Sequence, residues 1–213
     1  MTCLVCEQDH ARPFMKVDGR AYWRCDHCLA TFLEPAQQPT LATERAEYDL
    51  HQNKPDDPGY RRFLGQLTEP LLAELASPSE GLDFGCGPGP ALHQMMQTKG
   101  HEVTLWDPLY YPDPQALERD YDFVTATEVV EHFHRPAGSF RQLHTLVRPG
   151  GLLGLMTRLQ TDDARFAGWN YRRDPTHVVF YRRETLEWLA LRHGWKVIAI
   201  EPSWALFRKS STD

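Results

Sequence analysis

The sequence predicts an α/β fold, in which a doubly wound, mostly parallel sheet with an antiparallel last strand follows a small N-terminal ribbon. Three observations support this prediction. Two C-x-x-C pairs lie near the N-terminus, a glycine-rich turn joins an apolar run to a helical pattern at residues 81–91, and apolar runs alternate with helical patterns up to residue 209. Such alternation is typical of a parallel sheet covered by helices on both faces.

Length and charge limit the classes of function. The chain has 213 residues, enough for one large domain with a small appendage, and its net charge is −6. A negative chain lacks the basic field that favours nucleic acid. No apolar run approaches the roughly 18 residues of a membrane helix. The first residues lack the pattern of a signal peptide, so we expect a cytoplasmic protein without a membrane segment.

Four of the five cysteines form two pairs with 18 residues between them. This spacing predicts a zinc site made of four thiolates, and four protein ligands leave no open position, so the zinc would be structural. Asp18-Gly19 lies between two strand-like runs and predicts a hairpin. We therefore predict a zinc ribbon over residues 1–34. His10 and His27 are alternative ligands, and four free thiols are the other interpretation; the predicted ligands are Cys3, Cys6, Cys25 and Cys28.

Residues 35–59 predict a polar linker rich in proline, with a short helix at 43–49. A longer amphipathic helix follows, with apolar residues at helical spacing from Phe63 to Leu75. Several polar and aromatic side chains of this region have no evident core role. They are either ordinary loop residues or part of a lid over a ligand, and they are Tyr48, His51, Asn53 and Tyr60.

The glycine-rich turn predicts a nucleoside-binding site. Gly85, Gly87 and Gly89 follow a short strand, and glycine permits both a tight turn and close approach of the backbone to a ligand. Pro90 occupies the place of the third glycine in the dinucleotide fingerprint, which disfavours NAD. Asp107 ends the next strand, 20 residues after Gly87. An acid at this distance typically accepts hydrogen bonds from ribose hydroxyls.

Later motifs follow in a characteristic order. A fourth-strand region ends in Glu128-Val129-Val130-Glu131-His132, and a helix ends in Arg148-Pro149-Gly150-Gly151 before the next strand. Together with Asp83-Phe84-Gly85-Cys86-Gly87-Pro88-Gly89 and Asp107, these motifs resemble the Rossmann-like class I methyltransferases that depend on S-adenosylmethionine (SAM). The resemblance covers residues 60 to 201 and implies a SAM-dependent methyltransferase domain over residues 60–213. With the cysteine pairs, it extends to a bacterial group that carries an N-terminal zinc ribbon.

The resemblance implies a set of SAM-binding residues at the ends of the strands. They are Asp83, Gly85, Cys86, Gly87, Gly89, Asp107, Pro108, Thr127 and Glu128. One departure from the family pattern is clear. Only 13 residues separate Asp107 from Tyr121, too few for a full helix and a third strand, so one element must be short or missing. The acid that usually meets the adenine has no clear counterpart; Asp113 and Asp120 are weak candidates.

Residues 158–183 are rich in arginine, aromatic residues and histidine, and in the family this region builds the substrate wall. Methyl transfer needs alignment of the reactants and, for many acceptors, removal of a proton. His177 and His132 are the candidate catalytic bases, although His132 is equally suited to fixing its loop. We expect Asp174 and Thr176 to orient His177. Arg172 and Arg173 would hold an anionic acceptor, which Trp169 and Tyr171 would cover.

The sequence therefore favours a SAM-dependent methyltransferase with a small-molecule acceptor. Two alternatives remain at this point: an RNA methyltransferase whose ribbon contacts nucleic acid, disfavoured by the net charge, and a SAM-binding module without catalysis. Neither the acceptor atom nor the oligomeric state follows from the sequence.

Overall fold

The computed structural model describes residues 1–50 and 54–211, which form ten strands and six α-helices. The strands are β1 (Ala11–Val17), β2 (Arg20–Cys25), β3 (Thr31–Leu33), β4 (Glu80–Phe84), β5 (Glu102–Trp106), β6 (Tyr121–Thr127), β7 (Val147–Met156), β8 (Val179–Phe180), β9 (Trp195–Ile200) and β10 (Trp204–Lys209). The helices are α1 (Leu41–Tyr48), α2 (Pro58–Glu74), α3 (Ala91–Gln97), α4 (Pro136–Leu146), α5 (Asn170–Arg173) and α6 (Arg183–Arg192).

The central sheet has six strands in the order β5-β4-β6-β7-β10-β9. Strands β5, β4, β6 and β7 are parallel, whereas β10 is antiparallel to both β7 and β9. This is a Rossmann-like α/β fold, and the predicted fold class with its antiparallel last strand is confirmed. The chain runs from β4 outward to β5 and then returns to the other side of β4. The boundary between β4 and β6 is therefore the topological switch point, where such sheets bind ligands.

The predicted shortening between β5 and β6 is also confirmed. Residues 107–120 contain an isolated antiparallel bridge between Asp107 and Tyr111 and a single 3-10 turn at Pro114–Leu117, with no strand. Three prolines in this segment remove backbone donors that a strand would need. As a result, β5 is the edge of the sheet.

Helices cover both faces of the sheet. Helix α2 begins where the Asp57 carboxylate accepts a hydrogen bond from the Tyr60 amide at 2.6 Å. It packs with α3 on one face, where Leu67, Leu71 and Met96 are fully buried. Helices α4 and α6 pack on the opposite face. Across residues 1–50 and 54–211, no helix is both long enough and apolar enough to cross a membrane.

The N-terminal hairpin forms as predicted. Asp18 and Gly19, with φ of 53° and 77°, join β1 to β2 in a turn whose two central residues are both left-handed. Strand β3 extends the pair, and β8 arrives from the far end of the chain to complete a second, four-stranded sheet. Thr31 pairs with Phe180 in this last antiparallel contact.

This small sheet shares its core with residues 158–183. The Tyr22 ring contacts Phe166 and Phe180 at centroid distances of 5.0 and 6.0 Å. The buried Arg172 guanidinium donates to the Asp18 carboxylate at 2.7 Å and to the Tyr22 hydroxyl at 3.4 Å. Residues 158–183 therefore lie between the ribbon and the main sheet. The four-stranded sheet joins β1–β3 to β8, so it includes residues from both sides of the predicted domain boundaries. The boundaries at residues 34 and 59 remain predictions.

Gly81 in β4 provides a test of the packing between the neighbouring strands β4 and β6. An added Cβ would lie 2.1 Å from the ring of Phe123, which is fully buried. We expect Gly81→Ala to lower the free energy of unfolding by about 1–3 kcal/mol, because the buried Phe123 ring would overlap with the added methyl group and cannot move aside. Gly168→Ala, where the added atom meets nothing within 4 Å, should change it by less than about 0.5 kcal/mol. Urea denaturation measures both, and equal effects would contradict the packing described.

Candidate active site

A large cavity of about 1010 Å³ lies at the carboxyl ends of β4, β5 and β6. Because these strands are parallel and adjacent, the segments that follow them converge on the same edge of the sheet. The cavity is lined by most of the predicted SAM-binding residues and by both candidate bases: Gly85, Cys86, Gly87, Gly89, Asp107, Pro108, Thr127, Glu128, His132 and His177.

Two glycines of the turn are required for different reasons. Gly85 has φ of +75°, and a Cβ there would lie 2.6 Å from the side chain of Val129. Gly87 has φ of +62° and nothing within 4 Å of an added Cβ, so its backbone faces open space. The first glycine thus permits close packing below the turn, and the second exposes backbone to the cavity.

The Asp107 carboxylate organises the two loops at this edge. One oxygen accepts a hydrogen bond from the Gly87 amide at 3.0 Å. The other accepts from the amides of Leu109 and Tyr110 at 2.8 and 3.1 Å. A carboxylate has about four acceptor positions, so these three bonds leave about one for a ligand hydroxyl.

Asp83, expected to contact SAM, lies below the cavity instead. Its side chain is buried in the sheet, where it accepts a hydrogen bond from the Thr125 hydroxyl at 3.1 Å, and it does not line the cavity. Burial raises the pKa of the Asp83 carboxyl to about 7. Asp83 is still part of β4, so its side chain projects from a face of the sheet and not from the turn that follows the strand.

The two weak candidates for an adenine contact do not line the cavity either. Asp113 accepts a hydrogen bond from the Gln115 amide at 2.9 Å and so begins the 3-10 turn. Asp120 accepts from the Arg148 guanidinium at 3.1 Å. Both carboxylates thus have local structural partners.

Glu128 follows β6 in an unusual conformation. Its φ is 54°, which is uncommon for a residue other than glycine. One carboxylate oxygen is buried and has no hydrogen-bond partner within the described ranges 1–50 and 54–211. Burial raises the pKa of the Glu128 carboxyl to about 7, and the Arg158 guanidinium partly opposes this shift. Backbone strain of this kind is often found where a side chain is held for a ligand.

His132 and His177 lie together, with 4.7 Å between their ring centroids. Nδ1 of His177 lies 2.7 Å from the Tyr171 carbonyl oxygen, and Nδ1 of His132 lies 3.1 Å from the Thr176 carbonyl oxygen. A carbonyl oxygen only accepts, so each Nδ1 donates. The Asp174 carboxylate lies 3.8 Å from Nε2 of His177, within ion-pair distance, and the Thr176 hydroxyl donates to Asp174. That these two residues orient His177 stays a prediction.

The predicted arginine clamp is wrong. Arg172 points away from the cavity into the contact with the ribbon, and the exposed Arg173 lies near Asn170. Trp169 packs against Phe166 and Phe180. Only Tyr171 of this group lines the cavity. Sequence reasoning could not foresee this, because the ribbon that binds Arg172 lies about 150 residues away in the chain.

Helix α1 covers one side of the cavity. Leu41, Glu44 and Tyr48 line it, and the Tyr48 ring contacts the ring of His132 at 5.3 Å. The buried Glu44 carboxylate lies 2.9 Å from Nε2 of His134, a pair that sequence reasoning missed. Tyr60 also lines the cavity. His51 and Asn53, the other residues of the predicted lid, lie outside the described residues.

The four paired cysteines form a separate, buried cluster in the ribbon. The sulfurs of Cys3 and Cys28 are 3.6 Å apart, as are those of Cys6 and Cys25, and all four lie within 4.8 Å of one another. Each pair folds in the same way, since the residue after its second cysteine, Glu7 or Leu29, has φ of 60°. These distances exclude disulfides and are compatible with a small zinc site. Cys86 lies outside this cluster.

Comparison with known proteins adds family evidence. Residues 58–200 match the family described as "Methyltransferase domain". A "Ubiquinone biosynthesis O-methyltransferase" of Aeromonas salmonicida is 35% identical over 100 residues, an alignment that covers 36% of this chain. The alignment spans 42% of that relative's length, less than half of it.

Two solved structures share the fold. One is a 1,6-didemethyltoxoflavin-N1-methyltransferase of Burkholderia thailandensis with bound 1,6-didemethyltoxoflavin and S-adenosylhomocysteine. It is 15% identical with a TM-score of 0.52, over 94% of this chain and all of the other. An O-methyltransferase family protein from the same organism is 14% identical with a TM-score of 0.52, over 83% of this chain and 66% of the other. At such identity the likeness concerns the fold.

The Asp83 carboxyl predicts a dependence of stability on pH. In the folded chain its pKa is about 7, against an ordinary value of 3.8. Between these values the folded chain holds a proton that the unfolded chain has lost, so this contribution to stability disappears as the pH rises through 7. The free energy of unfolding of the unmodified protein should fall between pH 4.5 and pH 8. We expect this fall to be smaller by about 2–4 kcal/mol in Asp83→Asn.

Urea denaturation at several pH values measures this difference. Asp56→Asn is the control, because it removes one carboxylate charge at an exposed position. Its curve should run parallel to that of the unmodified protein. Parallel curves for Asp83→Asn as well would contradict the burial argument.

Proposed function

The chain belongs to the methyltransferase domain family, and on this basis we propose that it transfers a methyl group from SAM to a small-molecule acceptor. One observation carries the proposal: the glycine turn, the Asp107 carboxylate and the paired imidazoles of His132 and His177 all border one cavity. This places a nucleoside-binding edge beside groups that can act on a proton.

The residues present fit SAM. The backbone of the turn at Gly85, Gly87 and Gly89 can approach the methionine part, and Cys86, Pro108 and Thr127 complete this side of the cavity. Asp107 would accept from a ribose hydroxyl at its remaining acceptor position. The buried oxygen of Glu128 has no hydrogen-bond partner among the described residues, and a donor group of the ligand would satisfy it.

When bound, SAM supplies a methyl group already activated on a sulfonium, whose leaving group is neutral. The chain's own task is then to align the acceptor and to act on its proton. His177 is suited to this task because the Tyr171 carbonyl fixes its tautomer, which places the basic lone pair on Nε2. His132 is held in the same way by the Thr176 carbonyl.

Several features support a small acceptor. Ligand pockets usually measure about 300–1,000 Å³, and the cavity of about 1010 Å³ is large enough for SAM and one small molecule. Helix α1 covers it on one side, which suits an enclosed ligand better than a polymer. The net charge of −6 weakens the case for RNA. The names of the similar proteins, an O-methyltransferase and an N-methyltransferase with a bound small molecule, point the same way.

We further propose that Cys3, Cys6, Cys25 and Cys28 bind one structural zinc ion. A tetrahedral zinc with bonds of about 2.3 Å places its sulfurs about 3.8 Å apart. The observed 3.6 Å separations are close to this value. Three amides, those of Val5, His27 and Cys28, point at Cys3 or Cys25 sulfur atoms at 3.4–3.5 Å, which favours thiolates there.

Metal removal tests the zinc site. We expect close to one zinc per chain, and Cys25→Ser should lose it and lower the melting temperature, because the ribbon alone buries too little apolar surface. Turnover should fall as well, since the ribbon holds residues 158–183 through β8 and Arg172. Cys86→Ser is the control for zinc content and should retain the metal. Full zinc retention in Cys25→Ser would contradict the assignment.

Two substitutions separate SAM binding from the chemical step. Asp107→Ala should weaken SAM binding at least tenfold, because hydrogen bonds to a charged partner contribute about 1.5–3 kcal/mol. His177→Ala should leave SAM affinity within about twofold but lower turnover on the order of 10²–10⁴-fold. Calorimetry measures binding, and release of labelled methyl onto small molecules of a cell extract measures turnover.

Asp113→Ala is the matched control, since Asp113 lies in the same segment as Asp107 but outside the cavity. Asp113→Ala should change neither SAM affinity nor turnover. Unaltered SAM affinity in Asp107→Ala, with the melting temperature preserved, would refute the ribose contact. Binding of SAM without any methyl release would favour a non-catalytic module, and RNA affinity that falls steeply with salt would favour the RNA enzyme.

A further inference from the structure

Three potential metal ligands meet at the inner wall of the cavity. One ligand atom from each of Glu131, His132 and His177 lies within 4.8 Å of the other two. Bonds from oxygen or imidazole nitrogen to a metal measure about 2.0–2.2 Å, so two ligands of one tetrahedral ion are about 3.3–3.6 Å apart. Side-chain shifts of up to about 1 Å bring three atoms that lie within 4.8 Å of one another to this spacing. We propose that these residues bind a divalent first-row transition-metal cation, distinct from the ribbon's zinc.

One oxygen of the Glu131 carboxylate has no partner among residues 1–50 and 54–211. Glu131 is completely buried, with an exposure of 0%. One of its oxygens accepts a hydrogen bond from the Tyr171 hydroxyl, whereas the other is buried and receives no hydrogen bond from the part of the chain that the structure describes. A buried carboxylate in this state is costly unless it is paired or coordinates a metal. A cation at this oxygen would remove the cost.

The imidazoles have the arrangement of metal ligands, which is an independent observation. A metal-binding histidine usually donates its second ring N–H to a backbone carbonyl or a carboxylate, and this bond fixes the ring and its tautomer. Here both rings donate from Nδ1 to backbone carbonyls, His132 to Thr176 and His177 to Tyr171. In the neutral rings the acceptor lone pair is consequently on Nε2, where it would bind the cation. With the cation bound, His177 would act as a ligand and not as the base proposed above, because one lone pair cannot serve both purposes.

The position of the cluster makes the site open toward a substrate. His132 and His177 line the cavity, while Glu131 lies behind them in the wall. Three protein ligands leave coordination positions vacant, unlike the four sulfurs of the ribbon, and these positions would face the cavity. Two nitrogen ligands and one oxygen ligand suit manganese, iron, cobalt or zinc more than magnesium or calcium.

This inference rests on the proposed methyl transfer and narrows the class of acceptor. Adjacent vacant positions suit a small molecule that presents a hydroxyl next to a second oxygen. A hydroxyl bound to the cation has a lowered pKa, so its O–H bond breaks and the proton passes to water. The oxygen then forms a bond to the methyl carbon as the bond from carbon to sulfur breaks. The electron pair of that bond returns to sulfur, which leaves as a neutral thioether.

Manganese provides the probe, because Mn²⁺ is paramagnetic and binds thiolates weakly compared with zinc. Purified protein that keeps its ribbon zinc is titrated with MnCl₂ and followed by electron paramagnetic resonance. We expect one Mn²⁺ to bind per chain without release of zinc, with coupling to imidazole nitrogen in the spin-echo spectrum. Methyl release onto vicinal dioxygen acceptors should require the cation, stop with a chelator and recover when Mn²⁺ is restored.

Variants locate the site. Glu131→Gln, which keeps the shape of the side chain, and His132→Asn should each weaken Mn²⁺ binding at least tenfold while SAM affinity is retained. SAM affinity and the melting temperature report whether each variant folds. The coupling of Mn²⁺ to imidazole nitrogen is measured on the unmodified protein, so it tests the site even if a variant does not fold. Glu44→Gln is the matched control, because Glu44 is also a buried carboxylate that lines the cavity beside a histidine. It should leave Mn²⁺ binding unchanged.

The outcomes separate this proposal from the proposed function. Absence of Mn²⁺ binding, together with SAM binding and metal-independent methyl release, would overturn the cation site and leave the methyltransferase proposal standing. Manganese binding that Glu131→Gln and His132→Asn do not weaken, or that lacks nitrogen coupling, would overturn it as well. Manganese binding at this site without SAM binding would refute the methyltransferase proposal instead.

Discussion

The burial of the Glu131 carboxylate is the constraint on which the arrangement around the cavity depends. A carboxylate excluded from water must be compensated locally, and the Tyr171 hydroxyl does part of this. The backbone of Glu131 also accepts a hydrogen bond from the Val178 amide at 2.9 Å. Residues 171 and 178 are thereby held at fixed places beside the loop that follows β6. The His177 ring, held between them by the Tyr171 carbonyl, is positioned as a consequence.

The other side of the same segment is held by the ribbon. Arg172 reaches Asp18 and Tyr22, and β8 pairs with β3, so the wall of the cavity and the cysteine cluster share one small core. A ribbon of this size cannot bury enough surface to be stable alone. Its packing against residues 158–183 adds the buried surface that the ribbon lacks. The same contact restrains residues 158–183, which form the wall of the cavity and contain only short helices and a short strand. The ribbon is in this way part of the architecture of the site.

The shortened segment after β5 determines how the cavity is closed next to the glycine turn. Without a strand beyond β5, the chain turns back at once, and the Asp107 carboxylate accepts amides from both the glycine turn and this new turn. One side chain therefore sets the distance between the two loops. A wall that a further strand and helix would otherwise build is formed here by Trp106, Leu109 and Tyr110.

Local signals in the sequence were sufficient for the elements and for the edge of the sheet that bears the site. The Asp18-Gly19 hairpin, the left-handed glycines of the turn and the alternation of strands with helices depend on residues close together in the chain, whose conformational preferences act locally. Parallel strands then bring Gly87, Asp107 and Glu128 to one edge. Only the tertiary structure decided that Asp83 lies below the cavity, that Arg172 joins the ribbon and that Tyr171 orients His177. Such outcomes depend on which side chains meet across large separations in sequence, 154 residues for Arg172 and Asp18. They follow from the packing of whole layers against each other, which no local preference encodes.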